Sequence, residues 1–187
     1  KKTRRWTGAA VRTIPTSHMI DAIADHLGVE LHETPVGFKF IGALMESEPI
    51  IVGGEESGGL SVKGHVPEKD GILACLLMAE LVAVERKPLR QILKELEKHI
   101  GRFYTDRINV HINPKQKNAI LKHLSKGLNK IGDTKVEKFI TTDGYKFLLP
   151  KGEWVAFRAS GTEPVIRCYL ETKSAARMKR LQAACQK

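Results

Sequence analysis

The chain has 187 residues, 42% of them hydrophobic and 28% charged, a mix that suits one or two folded domains and excludes a disordered chain. Its longest apolar runs, such as Ile72 to Leu77, fall far short of the ~20 residues of a membrane-spanning helix. The three scattered cysteines, Cys75, Cys168 and Cys185, make neither a disulfide framework nor a Cys-x-x-Cys pair, so no membrane partner and a reducing, cytoplasmic setting are expected.

Net charge is +10, enough to raise nucleic acid and phosphorylated ligands as partners. It is unevenly spread: residues 1–101 carry 13 basic and 14 acidic side chains, residues 102–187 carry 18 and 7. The chain opens on Lys1 rather than Met and reads as a piece of a longer protein. Ala9 to Ile14 predicts a short strand, and Thr16-Ser17 then offers hydroxyls to a helix start. Met19, Ile20, Ile23, Ala24 and Leu27 recur at helical spacing, and Gly28 stops the helix. Val29 and Leu31 begin a second strand that Pro35 and Gly37 break, and Pro49 to Val52 predicts a third that runs into Gly53-Gly54. This alternation argues for an α/β layer. From Lys69 to Arg86 a nearly all-apolar helix is expected to be largely buried. Pro88 opens another helix, carrying Leu89, Ile92, Leu93, Leu96 and Ile100, which Gly101 ends. A domain boundary is placed there, dividing 1–101 from 102–187.

The second part opens with Ile108, Val110 and Ile112 alternating with polar residues, a half-buried strand. Asn113 and Pro114 start a helix through Leu124. Val136 to Thr141 and Tyr145 to Leu149 read as a hairpin joined through Asp143-Gly144. Trp154 to Ala159 and Val165 to Glu171 form another strand pair, and Ser174 caps a last helix with Met178, Leu181 and Cys185 inward. Strands with helices on one face make a small α+β domain.

Two loops carry candidate chemistry. Gly53-Gly54-Glu55-Glu56-Ser57-Gly58-Gly59 follows an apolar strand, and its four glycines let the backbone approach a ligand while Glu55 and Ser57 offer groups suited to sugar hydroxyls. It is not a P-loop, because the Gly-Lys-Ser/Thr ending is missing, and it is not a nucleophile elbow. A strand-end turn with solvated acids fits the same spacing. In Arg158-Ala159-Ser160-Gly161-Thr162-Glu163-Pro164, successive amides can form an anion nest, with Ser160, Thr162 and Arg158 completing a phosphate's shell. If Val155 and Phe157 face the core, Arg158 emerges on the other side, and the same alternation puts Arg167 and Tyr169 there. A hairpin with two ordinary surface arginines is the other reading. The histidines show no metal-ligand spacing, and no metal is expected on this chain.

These loops, in this order, resemble those of the α-D-phosphohexomutases, the phosphoglucomutase and phosphomannomutase superfamily. Gly54 to Gly59 resembles the sugar-binding loop of the family's third domain, and Arg158 to Pro164 with Arg167, Tyr169 and Glu171 resembles the phosphate-binding loop of its fourth. Val11-Arg12-Thr13 with Thr16-Ser17-His18-Met19, Thr34 to Lys39, and Lys69-Asp70-Gly71 also match the run through the third domain. The resemblance implies a mixed α/β domain that lacks its opening helix, then a small TATA-binding-protein-like α+β domain. It further implies hexose phosphate and bisphosphate as ligands, with Arg158, Ser160, Gly161, Thr162 and Arg167 on the phosphate and Glu55 and Ser57 on the sugar. Arg12 and Lys39 would be further cationic contacts, Lys39 also a proton-transfer candidate. The family's serine nucleophile and its Asp-x-Asp-x-Asp loop for Mg²⁺ have no counterpart here. The resemblance therefore implies the substrate-recognition half of a mutase whose remaining domains of the same enzyme, with the Mg²⁺, lie outside this chain. Gly59, where some branches of the family carry histidine, leans toward the phosphoglucomutase-like branch, with mannose and pentose phosphates the other substrates that the resemblance leaves open. A basic nucleic-acid-binding module is the alternative, with only 6% aromatic residues and no recognisable motif to support it.

Overall fold

The computed structural model describes residues 6–161 and 163–186. The chain falls into two compact units divided after Arg102.

The first unit is built on a mixed four-stranded sheet. Strand β1 (Ala9–Thr13) is buried at every position and lies at its centre, parallel to β2 (Leu31–Thr34) on one side and to β3 (Ile50–Gly54) on the other. The short β4 (Leu60–Val62) adds antiparallel to β3, giving the order β2-β1-β3-β4. A run such as Ala-Ala-Val, without alternation, is what a strand covered on both faces requires. Helix α1 (Met19–Leu27) joins β1 to β2; the Ser17 hydroxyl accepts from the Met19 amide at 3.0 Å, and Gly28 ends the helix.

Helix α2 (Phe38–Ser47), which the sequence reading passed over, joins β2 to β3 and supplies the core. Its Phe38 and Ile41 pack with Ala9, Val11 and Ile50. The packing depends on a bare backbone in β3, because a Cβ on Gly53 would stand 2.3 Å from Ile41 Cγ2 and 2.9 Å from Val11 Cγ1. Strand β4 was also not foreseen.

Helix α3 (Gly71–Glu85) is N-capped by Asp70, whose Oδ1 accepts from the Ile72 and Leu73 amides at 2.9 and 3.0 Å. The expectation of burial fails here. No residue of α3 is buried, and Ile72 and Leu76 are 76% and 63% exposed. Apolar residues all round a helix give it no preferred inner face, and within the unit its main neighbour is only the three-residue β4. Helix α4 (Leu89–Ile100) starts from Pro88, stops at Gly101 and leans on α1, where the rings of His26 and His99 stack at 5.1 Å.

The second unit is an antiparallel five-stranded sheet in the order β5-β11-β10-β9-β8, formed by β5 (Tyr104–His111), β8 (Lys138–Ile140), β9 (Tyr145–Leu148), β10 (Trp154–Ala159) and β11 (Val165–Thr172). A two-stranded ribbon, β6 (Lys130–Ile131) and β7 (Thr134–Lys135), precedes β8. Helices α5 (Pro114–Leu124) and α6 (Ala175–Cys185) complete the unit. Asn113 and Gln116 form a reciprocal capping box at the start of α5, and the Ser174 hydroxyl accepts from the Arg177 amide to cap α6.

Leu124 of α5 and Met178 and Leu181 of α6 pack with Phe147, Val155, Cys168 and Leu170 of the sheet. These strand residues share one face by the two-residue period. The opposite face carries Trp154, Ala156 and Tyr169. There the Trp154 indole N–H donates to Glu171 at 2.9 Å, and the Lys146 ammonium lies 4.8 Å from the Trp154 ring centre. The architecture is thus α/β followed by α+β, with the second unit's helices packed on one face of an antiparallel sheet.

Candidate functional site

In the first unit the glycine-rich loop is the tip of the β3–β4 hairpin. The Glu55 amide donates to the Gly59 carbonyl at 2.9 Å and the Gly58 amide to the Glu55 carbonyl at 3.0 Å. This tight turn draws the Glu55 side chain inward to 6% exposure, while Glu56 and Ser57 stay exposed. The Glu55 carboxylate accepts from the Gly37 amide at 3.2 Å and lies 3.7 Å from the Lys69 ammonium. The hairpin tip therefore meets the turn that opens α2 and the residue just before the α3 cap. Lys39, two positions beyond Gly37, is exposed, its ammonium 4.9 Å from the Phe40 ring centre. Lys69 belonged to a recognised motif but was not expected in the site; only the fold brings it to Glu55. Nearby, Asp70 is held below the usual carboxylate range, first by the Leu73 amide and then by His65 at 2.9 Å.

Arg12 is placed differently from the cationic contact expected of it. Its guanidinium is buried, with Nε and Nη2 donating to both oxygens of Asp21 at 2.6 and 2.7 Å and Nη1 donating to Glu33 at 2.6 Å. A third contact goes to the Thr13 carbonyl. Burial disfavours the Arg12 charge, but the hydrogen bonds and charges of Asp21 and Glu33 outweigh it and raise the pKa. These donors tie β1 to α1 and β2, so Arg12 holds the first sheet together. Its acidic partners lie nine and twenty-one residues away, beyond the reach of any local sequence signal.

In the second unit β10 and β11 pair so that Arg158 stands directly opposite Arg167. Val155 and Cys168 on the intervening positions are in the core, so both arginines lie on the opposite face. Direct cross-strand neighbours have Cβ atoms about 5 Å apart, where like charges repel. Each arginine has its own carboxylate. Arg158 Nε donates to both oxygens of Asp143 at 3.0 and 3.1 Å, and Arg167 Nη2 donates to Glu163 at 2.6 Å.

The connecting loop is braced from within. Ser160 is 4% exposed; its amide donates to the Val165 carbonyl at 3.0 Å, and its hydroxyl accepts from the Glu163 amide at 3.2 Å. Lys117 of α5, which the sequence reading did not single out, donates to the Ser160 carbonyl at 2.7 Å. Gly161 is exposed at the tip, and Thr162 lies outside the described residues. A pair of guanidinium groups beside a braced loop can receive a dianionic phosphate, which would relieve the repulsion between them.

Comparison with known proteins agrees with both units. Residues 1–100 match the family model described as phosphoglucomutase/phosphomannomutase, alpha/beta/alpha domain III, and residues 81–187 match the C-terminal domain of the same proteins. The chain belongs to the phosphoglucomutase/phosphomannomutase family. A phosphoglucomutase/phosphomannomutase of Thermococcus kodakarensis is 35% identical over 89% of this chain and 34% of its own length. A phosphoglucomutase of Komagataeibacter xylinus is 35% identical over 97% of this chain and 36% of its own. Among solved structures, the open form of the Paramecium phosphoglucomutase parafusin superposes with a TM-score of 0.77 at 28% identity, over 95% of this chain and 36% of that one. This chain spans about a third of the length of these relatives. Among the described residues no helix is long and apolar enough to cross a membrane. Nor, among the described residues, do three or more His, Cys, Asp or Glu side chains converge as metal ligands would, so these residues offer no ligand set of that kind for Mg²⁺.

Proposed function

We propose that this chain is the substrate-recognition part of a cytoplasmic phosphohexomutase that interconverts hexose 1-phosphate and hexose 6-phosphate, with glucose favoured over mannose. In this reading the reaction runs through a phosphoserine and a bisphosphosugar, and the serine and Mg²⁺ are supplied by parts of the enzyme beyond these residues. The observation that carries the reading is the cross-strand pair Arg158 and Arg167, held on one face beside a braced loop. Phosphoryl transfer depends chiefly on positioning and electrostatics, and these residues supply both for the phosphate that is not reacting. Ser160 and Gly161 shape the loop around that phosphate, and Thr162 is assigned to it by resemblance. Glu55 and Ser57 take the sugar hydroxyls; a carboxylate that accepts from paired hydroxyls suits a substrate presented in either of two orientations. Lys39 is a further cationic contact with the sugar phosphate.

Calorimetric titration with glucose 1-phosphate tests the assignment. Arg158→Ala weakens binding by ~1.5–3 kcal/mol, the range for a charged hydrogen bond, and leaves the melting temperature of the first unit unchanged. The isolated chain has no mutase turnover. Unaltered binding by the variant, or turnover without added protein, contradicts the proposal.

A further inference from the structure

The two carboxylates beside the arginine pair engage their partners at different places. Glu163, 57% exposed, takes a terminal nitrogen of Arg167, the end an incoming anion would use. Asp143, 20% exposed, instead puts both its oxygens on Arg158 Nε. Arginine has five N–H donors in a planar fork, four of them on the two terminal nitrogens. Among the described residues those four donors of Arg158 have no partner. Asp143 thus grips the inner corner of the fork and leaves its outer edge open.

The grip is built into the backbone. Asp143-Gly144 forms the turn into β9, whose Tyr145 pairs with Phe157 next to Arg158. Gly144 has φ +77°, and a Cβ there would stand 2.5 Å from the Phe157 carbonyl oxygen and 3.3 Å from Arg158 Cα. The turn is pressed onto the main chain of the residue whose side chain Asp143 holds.

We infer that Asp143 is a positioning residue, which holds Arg158 by Nε so that its terminal N–H groups meet a phosphate end-on. The inference rests on the proposed phosphate role of this loop. It predicts an effect opposite to simple charge, because removing a carboxylate beside an anion site would by Coulomb's law tighten anion binding. If Asp143 positions Arg158, its removal loosens the fork and weakens binding instead.

Calorimetry of the full chain with glucose 1-phosphate decides between them. Asp143→Ala weakens binding about tenfold, the lower part of the range for a lost charged hydrogen bond. Asp143→Asn keeps an acceptor for Nε and recovers part of that loss, while still binding more weakly than the unaltered chain. Because interacting residues are non-additive, Asp143→Ala adds no further loss in an Arg158→Lys background. Tighter or unchanged binding by either Asp143 variant overturns the inference, as does an equal loss in the Arg158→Lys background. Should Asp143→Ala fail to fold, the direction of the Asp143→Asn change decides alone. If Arg158→Lys by itself leaves affinity unchanged, the phosphate reading of the loop fails and the inference falls with it; if Arg158→Lys weakens binding and the Asp143 variants do not, only the inference falls.

Discussion

Replacing Gly144 by alanine tests how the second unit holds its arginine site. At φ +77° an L residue carries a steric penalty of about 1–2 kcal/mol. The added Cβ also meets the Phe157 carbonyl oxygen at 2.5 Å, a backbone atom that cannot swing aside as a flexible side chain would, and overpacking of this kind costs about 1–3 kcal/mol. Together the two effects predict a loss of about 3 kcal/mol for Gly144→Ala. Gly152 isolates the first of them, since it has φ +72° and nothing within 4 Å of an added Cβ; Gly152→Ala should lose only about 1 kcal/mol. Urea unfolding in a Trp6→Phe background, where Trp154 is the sole tryptophan, measures both variants by fluorescence, and a shift in midpoint at constant slope reports the change in stability. Gly144→Ala should also weaken binding of glucose 1-phosphate, because the turn that carries Asp143 must lift from Arg158. If Gly144→Ala and Gly152→Ala lose the same stability within about 0.5 kcal/mol, the usual span of an inconsequential substitution, the turn is not pressed on the Arg158 backbone as described.

Three further outcomes follow from the packing and charges. Burial raises the pKa of the Asp21 carboxyl, but the hydrogen bond and charge of Arg12 outweigh it and leave the pKa lowered. Its contribution to stability is therefore present above the unfolded carboxylate pKa and is lost as pH falls through the lowered folded value. Asp21→Asn should flatten that part of the acid-stability profile and cost about 2 kcal/mol at neutral pH, below the figure for a fully buried pair because Asp21 is a third exposed. Cys75 is exposed, whereas the hydrogen bond that Cys168 donates to Cys185, and then burial, push the buried Cys168 thiol up; mass spectrometry after iodoacetamide should find Cys75 alkylated in the native chain and Cys168 only after unfolding. Replacing exposed Ile72 and Leu76 of α3 by lysine should alter stability by less than about 0.5 kcal/mol and reduce binding of a hydrophobic dye; a large loss would mean that α3 is packed.

What could be read from the sequence were features that act over a few residues. Asn113 and Pro114 spell out a helix start because a cap needs only its own first turn, and the two-residue period of β10 and β11 puts Arg158 and Arg167 on one face. Helix α2 is masked in the sequence because Pro35 and Gly37 read as a strand break, though Phe38, Ile41, Leu44 and Met45 have helical spacing. The exposure of α3 is not legible in its sequence, because hydrophobicity shows that a surface is apolar and not whether anything covers it. Arg12, Asp143, Lys69 and Lys117 owe their roles to partners that only the fold brings close: Asp143 is fifteen residues from Arg158 and Lys117 forty-three from Ser160.

The central claim, that the Arg158–Arg167 pair and its loop grip the phosphate of a hexose phosphate, is tested most directly by an amide chemical-shift titration of the ¹⁵N-labelled chain with glucose 1-phosphate. Shifts concentrated in residues 158–167, together with the Asp143-Gly144 turn and the 53–59 hairpin tip, and reproduced in residues 158–167 by inorganic phosphate, are the predicted result. Saturable shifts that leave residues 158–167 unmoved, or no binding of either anion, would contradict the account.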